Sequence, residues 1–288
     1  MTTAMDELAA HRSAIFGIAY RMLGSASEAE DVVQETLLRW ARSAPDDLRA
    51  PRAWLRRTAT RVCLDRLGSA RARRETVGVA LPEPVADVDA ERTALLAESL
   101  GFAFLRMLQS MSPVERAVFL LHEVFELEHA EVAAAVGKTE AASRQILRRA
   151  RQRLRDERPR FDAEESRVQA LVERFAEVAR GGDVDGLLAL LAPDVVLHAD
   201  GGEARYGRAR AVGKPLEGAV VVARFLAAVQ MQADGPVEAR VAEVNGAPGL
   251  VVERAGAVVA VFAFRVYEGR VAEVFLVADP ERLCHFTG

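Results

Sequence analysis

Cysteine, lysine and long apolar runs are scarce in this 288-residue sequence. Cys63 and Cys284 are its only cysteines, and Lys138 and Lys214 are its only lysines. Two cysteines are too few for a disulfide framework, which excludes a disulfide-stapled secreted fold. No apolar run reaches transmembrane length, and the first residues lack the apolar core of a signal peptide. These absences predict a cytoplasmic protein.

Metal-binding and catalytic motifs are also lacking. His122 opens a segment that begins like the zinc-protease motif, but Glu126 stands where the second histidine is needed. The sequence has no phosphate-cradling glycine loop and no nucleophile elbow. We therefore expect no metal, no cofactor and no catalytic residues. His198 and Asp200 could act as an acid and base pair, although ordinary polar residues at a strand exit are the alternative.

What the sequence does contain is arginine, unevenly distributed. Residues 1–160 carry a net charge of +2 and residues 161–288 carry −6. Nine arginines lie between positions 49 and 74 against one acid, Asp65, and residues 144–160 hold eight arginines and two acids. A GC-rich genome would also enrich arginine, so each cluster needs a second observation. The length favours two or three domains.

The segment from Ala29 to Trp40 predicts a helix with two distinct faces. At 100° per residue, Val33, Leu37 and Trp40 share the inward face. Exposed Leu38 lies among acidic and amide groups on the opposite face, which indicates a protein partner. That face consists of Asp31, Gln34, Glu35 and Leu38.

A basic helix is predicted to begin at Pro51. Trp54 stands beside several arginines, and an aromatic ring in such a setting can stack on unpaired bases while the arginines bind phosphate. The alternatives are a core tryptophan and a solvated basic face.

Residues 112–153 predict a helix-turn-helix. Ser112-Pro113-Val114-Glu115 has the capping-box pattern, Gly137 provides a tight turn, and Thr139 can cap the next helix. That helix would be pinned by Leu147 and Ala150 and would leave a basic side for a major groove. A solvated amphipathic helix is the alternative.

The C-terminal region changes from helical to strand periodicity. After helices at about 163–180 and 184–191, five segments rich in Val and Phe predict strands: 195–198, 237–244, 250–253, 258–267 and 271–277. Turns at Asn245-Gly246, Ala255-Gly256 and Glu268-Gly269 suit hairpins. We predict an α+β domain with a curved antiparallel sheet.

With these motifs in view, the first 160 residues resemble the extracytoplasmic-function sigma factors of the sigma-70 family. Ala29 to Glu35 is similar to region 2.2, which implies that Asp31, Gln34, Glu35 and Leu38 bind the β′ clamp helices of core RNA polymerase. Pro51 to Leu55 is similar to regions 2.3–2.4, which implies contacts with the −10 element. The helix-turn-helix resembles region 4.2, which implies −35 recognition, and the family also implies contact with the β flap. The implied DNA-binding residues are Trp54, Arg56, Arg57 and Arg61 for −10, and Ser143, Arg144, Gln145, Arg148 and Arg149 for −35.

The resemblance extends to the SigJ-like subgroup, in which a SnoaL-like, NTF2-like domain follows the sigma domains. Its motifs are the linker Leu81-Pro82-Glu83-Pro84, the turn Asp200-Gly201-Gly202 and the terminal Asp279-Pro280-Glu281-Arg282-Leu283, although Glu203 and Ala204 depart from the turn's pattern. The implied fold is two all-α domains followed by a cone-shaped α+β barrel. The implied boundaries are 1–74 for the sigma region 2 domain, 75–90 for a linker, 91–160 for the region 4 helix-turn-helix domain and 161–288 for the regulatory domain.

This subgroup implies regulation in cis. We hypothesise that the acidic C-terminal domain clamps the sigma domains through the proline-rich linker, with Leu81, Pro82, Glu83, Pro84, Asp200, Gly201, Gly202, Asp279 and Pro280 as contact residues. An unknown small ligand could bind in the α+β domain. Two other functions remain open: a ligand-sensing helix-turn-helix transcription factor, and an enzyme that uses the SnoaL-like pocket.

Overall fold

The structure, a computed structural model, describes residues 2–43, 50–73, 81–86, 101–156, 165–200, 214–231 and 236–283. It divides into two compact units. The first unit comprises residues 1–79, 89–100 and 104–158, and the second comprises residues 80–88, 101–103 and 159–288. The predicted positions Gly201, Gly202 and Cys284 lie outside the described residues.

In its described part, the first unit contains helices joined by short turns and no strand. Its elements are α1 (Thr2–Leu23), α2 (Ala26–Ser43), α3 (Pro51–Arg73), α4 (Phe102–Gln109), α5 (Pro113–Phe119), a π-helical turn (Leu120–Val124), α6 (His129–Val136) and α7 (Glu140–Asp156). The first two residues of α4 are assigned to the second unit. The first three helices pack on one another, and α3 also packs against α5 and α6. The two helical blocks predicted from sequence therefore form one unit.

Helix ends follow the predicted capping residues, with one correction. Ser112 and Glu115 form the capping box at α5, Gly137 adopts the left-handed conformation (φ 65°) after α6, and the Thr139 hydroxyl accepts from the Ala142 amide at 3.2 Å. For α2, the sequence pattern after the Gly24-Ser25 break predicts Ser27 as the N-cap, and this prediction is wrong. The helix begins at Ala26, directly after Gly24-Ser25, and the Ser25 hydroxyl accepts from the Glu28 amide at 3.1 Å.

The second unit combines helices with a six-stranded sheet. Its elements are α8 (Glu165–Arg180), α9 (Val184–Leu190), β1 (Leu191–Asp200), β2 (Leu216–Glu217), α10 (Ala219–Met231), β3 (Glu238–Val244), β4 (Ala247–Arg254), β5 (Ala257–Tyr267), β6 (Arg270–Val277) and a 3₁₀ turn (Pro280–Arg282). The strand order is β2-β1-β6-β5-β4-β3. This architecture confirms the predicted α+β class.

The three predicted hairpin turns are present, and each has two consecutive residues with positive φ. The values are 55° and 76° at Asn245-Gly246, 50° and 79° at Ala255-Gly256, and 50° and 72° at Glu268-Gly269. Positive φ at both central residues matches the right-handed twist of the paired strands. Local sequence therefore determines the meander from β3 to β6.

Two features of the sheet differ from the sequence prediction. β1 pairs with β6 in parallel, with His198 opposite Phe275, so the sheet is mixed rather than antiparallel. Hairpin turns set the direction of successive strands only, whereas β1 meets β6 across a long connection. That connection contains α10, a helix which the sequence analysis did not assign.

The two faces of the sheet are covered by different parts of the chain. Val274 on β6 faces a core built with Val172, Phe175 and Leu226 from the helices. Phe275, the next residue, points to the opposite face, because successive strand residues alternate. There it packs with the residues Leu81, Phe102, Ala103 and Leu283. The linker thus forms part of the core of the second unit.

A membrane-spanning helix is not found in the described ranges, where no helix is both long and apolar enough to cross a bilayer.

Candidate functional site

The candidate protein-binding face lies on α2. Leu38 is 56% exposed, Asp31 and Gln34 are also exposed, and Glu35 is half-buried. The opposite side of the helix is anchored by Val33, which is 1% exposed. An exposed leucine in polar surroundings, on a helix whose other face is fixed in a core, is suited to binding a protein.

Arg66 from α3 lies beside this acidic face. Its guanidinium is 3.4 Å from a carboxylate oxygen of Asp31 and 3.4 Å from one of Glu35, while Arg39 lies 2.6 Å from Glu35. These pairs are solvent-exposed, so each contributes little to stability. Arg66, which the sequence analysis missed, orients the two carboxylates at the candidate interface.

The candidate −10 residues lie along α3. Trp54 is half-buried and packs edge-on against Trp40, with ring centroids 5.4 Å apart. Arg57 is half-buried. Arg61 is exposed, and its Nη2 donates to the carbonyl oxygen of Ala134 in α6 at 3.0 Å.

Arg56 is held by the turn that follows the π-helical segment. Its Nη1 lies 3.5 Å from the carbonyl oxygen of Phe125, and its guanidinium carbon lies 5.8 Å from the centroid of the Phe125 ring. Burial, together with the positive charge of Arg52, lowers the pKa of Arg56. The basic helix is therefore packed against the second helical block and is not a fully solvated surface.

The recognition helix α7 presents the predicted basic side to solvent. Leu147 and Ala150 are 2% and 1% exposed and anchor the helix. Four candidate base-reading and phosphate-binding residues are exposed: Arg144, Gln145, Arg148 and Arg149. Arg144 forms an ion pair with Glu140 one turn earlier. Long donors on the exposed side of such a helix can reach base edges in a major groove.

Ser143 is a correction to the predicted −35 set. Its side chain is fully buried, and its hydroxyl lies 3.3 Å from Nδ1 of His129 at the start of α6. The His129 ring stacks on His122 with centroids 4.3 Å apart. Ser143 lies on the buried side of α7 and not on its exposed side. It therefore connects α7 to α6 instead of facing DNA.

A second candidate site lies where the linker packs on the C-terminal sheet. A carboxylate oxygen of Asp200 accepts a hydrogen bond from the Leu81 amide at 3.2 Å. Arg282 lies 3.3 Å from the same oxygen and donates to the Leu81 carbonyl. Asp279 accepts from the Glu281 amide at 3.1 Å and so caps the turn that carries Arg282, while Pro280 is exposed.

The remaining linker residues are also enclosed. Pro82, Glu83 and Pro84 are buried. Val85 donates its amide to Oδ1 of Asn245 at 3.1 Å and accepts from the Asn245 amide at 3.0 Å. Sequence reasoning identified Asn245 only as a turn residue, and nothing in the local pattern indicates that the same turn binds the linker.

A cavity opens between α8, α10 and one face of the sheet. It is lined mainly by apolar side chains, among them Phe175, Leu226 and Phe262, and Arg180 is also in the lining. The proposed acid and base pair lies elsewhere, because the His198 ring stacks on Phe275 at 5.3 Å and Asp200 binds the linker. Within the described ranges, no group of three or more His, Cys, Asp or Glu residues is placed to bind a metal.

Comparison with known proteins identifies relatives along nearly the whole chain. Residues 8–73 match the family described as Sigma-70 region 2, and residues 101–154 match Sigma-70, region 4. The ECF RNA polymerase sigma factor SigJ of Mycobacterium tuberculosis is 35% identical, over 99% of this chain and 93% of its own length. The probable ECF RNA polymerase sigma factor SigI of the same species is 30% identical, over 95% of this chain and 92% of its own length.

A solved structure agrees with these sequence matches. The crystal structure of Mycobacterium tuberculosis SigJ superposes with a TM-score of 0.78 at 30% identity, covering 98% of each chain. The match therefore includes the α+β domain as well as the helical unit. On this evidence the chain belongs to the extracytoplasmic-function sigma factors of the sigma-70 family.

Proposed function

We propose that this chain, acting in the cytoplasm, binds core RNA polymerase through the exposed face of α2 and brings promoter DNA to it through α3 and α7. The observation that carries the proposal is the pairing of an exposed Leu38, ringed by Asp31, Gln34 and Glu35, with a helix whose other side is fixed by Val33. The β′ clamp helices are the proposed partner of this face, and the β flap is the proposed partner of the helix-turn-helix domain.

Division of labour between the two DNA-binding helices follows from their surfaces. The exposed donors of α7 suit base reading in the −35 major groove. Trp54 and the arginines of α3 suit the −10 element, where an aromatic ring can stack on an unpaired base. We assign Arg144, Gln145, Arg148 and Arg149 to the first role and Arg56, Arg57 and Arg61 to the second.

The C-terminal domain regulates this activity in cis in our proposal. Support comes from Leu81, whose amide binds Asp200 and whose carbonyl binds Arg282. A linker held in the core of the second unit cannot move freely between the sigma domains that it connects. The linker and the C-terminal domain belong to the same chain, so each is present at a high effective concentration near the other. Even a weak contact between them is therefore favoured.

Promoter-dependent run-off transcription with purified core polymerase tests the main proposal. The variant with Asp31→Ala, Gln34→Ala and Glu35→Ala should remain folded, because Val32 and Val33 still anchor α2. Its affinity for core polymerase should fall by about 1–3 kcal/mol, the range for residues at the centre of an interface. A variant with Glu173→Ala and Glu177→Ala, exposed acids on α8, is the control. Unchanged polymerase binding and transcription by the folded triple variant would show that this face is not the docking site.

A further inference from the structure

The arginines assigned to the −10 element already bind the second helical block of the first unit. Arg61 donates to the carbonyl oxygen of Ala134 at 3.0 Å, and Arg56 donates to that of Phe125 at 3.5 Å. An N–H group that binds a backbone carbonyl cannot at the same time donate to a DNA phosphate. Packing of α3 against α5 and α6 also covers part of the helix surface. The helices of the region 4 domain, here called sigma4 (residues 101–154), thus occupy the surface of the region 2 domain, here called sigma2 (residues 8–73), that would bind DNA.

Phe125 lies at the centre of this contact. Its ring is approached by two guanidinium groups, with Arg21 Cζ at 5.4 Å and Arg56 Cζ at 5.8 Å from the ring centroid. Both distances fall within the range of cation–π attraction, which strengthens when the groups are removed from water. Arg21 is only 2% exposed, and burial lowers its pKa to about 10, so it remains charged at neutral pH.

The backbone around Phe125 is shaped to present this ring. The π-helical turn Leu120–Val124 precedes it, and the amide of Phe125 donates to the carbonyl of Leu120 at 3.0 Å. Glu126, directly after it, has a φ of 54°, which is uncommon for a residue other than glycine. Irregular turns of this kind recur at functional sites. We infer that this irregular backbone holds the Phe125 ring in a defined position.

A second anchor fixes the same docking. Arg116 on α5 is 6% exposed, its Nε donates to the Leu108 carbonyl at 2.8 Å, and its Nη1 donates to the carbonyl of Met22 in the last turn of α1. The bond to Met22 connects α5 to the buried carbonyl end of α1, where a cation is also favoured by the helix dipole.

Promoter geometry is incompatible with this docking. The −35 and −10 elements are about 25 base pairs apart, which is about 85 Å along B-DNA at roughly 3.4 Å per base pair. A compact unit of about 150 residues has a radius of gyration of only about 15 Å. One such unit cannot place its two DNA-reading helices on both elements.

We propose that Phe125, held between Arg21 and Arg56, is an intramolecular latch that keeps sigma4 docked on the DNA-reading face of sigma2. The latch lies entirely within the first unit, so it acts separately from the linker contact with the C-terminal domain. It must open before α3 can bind the promoter. This inference rests on the proposed DNA-binding role of α3.

Opening can be measured in the full chain by energy transfer between two dyes. Arg42→Cys in α2 and Gln152→Cys in α7 provide exposed attachment points, and Cys284→Ser removes the C-terminal thiol. Cys63 is fully buried and burial raises the pKa of its thiol to about 12, so it should stay unlabelled. Phe125→Ala should increase the ratio of open to closed molecules roughly threefold to thirtyfold, the factor that corresponds to the loss of cation–π contacts.

Several variants test whether the change in energy transfer is due to the aromatic ring of Phe125. Phe125→Leu, which keeps an apolar side chain without a π face, should also open the molecule, and Phe125→Tyr should keep it closed. Glu123→Ala is the control, because Glu123 pairs with Arg151 inside sigma4. If Phe125→Ala fails to fold by circular dichroism, Phe125→Leu replaces it. Wild-type energy transfer in the folded alanine or leucine variant would overturn the latch.

Binding to a fluorescein-labelled oligo-dT 20-mer, followed by anisotropy without polymerase, separates the latch from the role of α3. Phe125→Ala should tighten binding by the same factor as the opening. Adding Arg56→Ala and Arg61→Ala should abolish that gain while the molecule stays open. Opening without any gain in DNA affinity would leave the latch in place and would show that the proposed DNA-binding role of α3 is wrong.

Discussion

At the N-terminus of α5, Ser112 and Glu115 satisfy each other's backbone amides. The Ser112 hydroxyl accepts from the Glu115 amide at 3.4 Å, and the Glu115 carboxylate accepts from the Ser112 amide at 3.1 Å and from its hydroxyl at 2.8 Å. Burial raises the pKa of Glu115, but the hydrogen bonds from Ser112 and the charges of Arg153 and Arg149 outweigh it and leave the pKa below its ordinary value. The ionised form is therefore favoured by folding.

A pH-dependent stability follows for this residue. Because the folded-state pKa is lower than the unfolded one, Glu115 contributes stability that is fully present above the unfolded value of 4.5. That contribution is lost as the pH falls through the lower, folded-state pKa. We expect Glu115→Gln to reduce the free energy of unfolding by about 1 kcal/mol at pH 7, because a neutral amide oxygen replaces the charged acceptor of the capping box, and to reduce it less below pH 4.

Urea denaturation of wild type and variant between pH 3 and pH 7 measures this difference. Glu177→Gln on α8, an exposed acid that pairs with Arg174 at 2.8 Å, is a suitable control because surface pairs contribute little. A destabilisation by Glu115→Gln that is constant over this pH range would contradict the assignment.

At the scale of elements, α3 and α7 are both arginine-rich helices, yet their settings differ. The arginines of α7 extend from a helix pinned by Leu147 and Ala150, whereas Arg56 and Arg61 of α3 bind carbonyl oxygens in the neighbouring block. Net charge alone would predict the same DNA-binding role for both helices. Their surroundings predict that only α7 reads bases in the isolated chain.

We therefore expect substitutions in the two helices to differ in kind. Arg144→Ala should weaken binding to the cognate −35 element by about 1–3 kcal/mol and affect a scrambled element much less. With core polymerase bound, so that α3 is free to contact DNA, Arg57→Ala should weaken binding to every promoter and lower the slope of log affinity against log salt by about one. Salt titrations with matched cognate and scrambled promoters measure both effects. Equal losses on the two −35 sequences after Arg144→Ala would remove it from the base-reading set.

For the whole molecule, the important connection is the linker held by Asp200 and Arg282. Arg282→Ala removes a charged donor from the Leu81 carbonyl and the ion-pair partner of Asp200. If the held linker restrains the sigma domains, this change should raise promoter-dependent transcription, roughly threefold or more for the loss of a charge-assisted hydrogen bond.

Arg240→Ala is the matched control for that experiment. Arg240 also pairs with an acid, Glu253 at 2.9 Å, but this pair joins β3 to β4 and involves neither Asp200 nor the Leu81 carbonyl. Hydrogen exchange at the Leu81 and Val85 amides reports directly whether the linker has been released. Faster exchange with unchanged transcription would rule out the linker as the route of regulation, while sigma activity itself would be unaffected.

Features that depend on local chemistry could be predicted from the sequence alone. The spacing of Val33 and Leu38 oriented α2, Ser112 and Gly137 set helix ends, and Asn245-Gly246 set a hairpin, because each depends on residues adjacent in the chain. Motif resemblance then indicated the family. It also led to the hypothesis that the linker and the terminal Asp279–Leu283 segment take part in the same interdomain contact.

Features that depend on residues distant in sequence emerge only from the folded chain. The parallel pairing of β1 with β6, the burial of Ser143 against His129 and the binding of Leu81 between Asp200 and Arg282 each join parts of the chain that no local pattern relates. The contact of Phe125 with Arg21 and Arg56 is of the same kind. Periodicity shows which face of an element is apolar or charged, but the partner of that face is chosen by packing, and packing belongs to the whole fold.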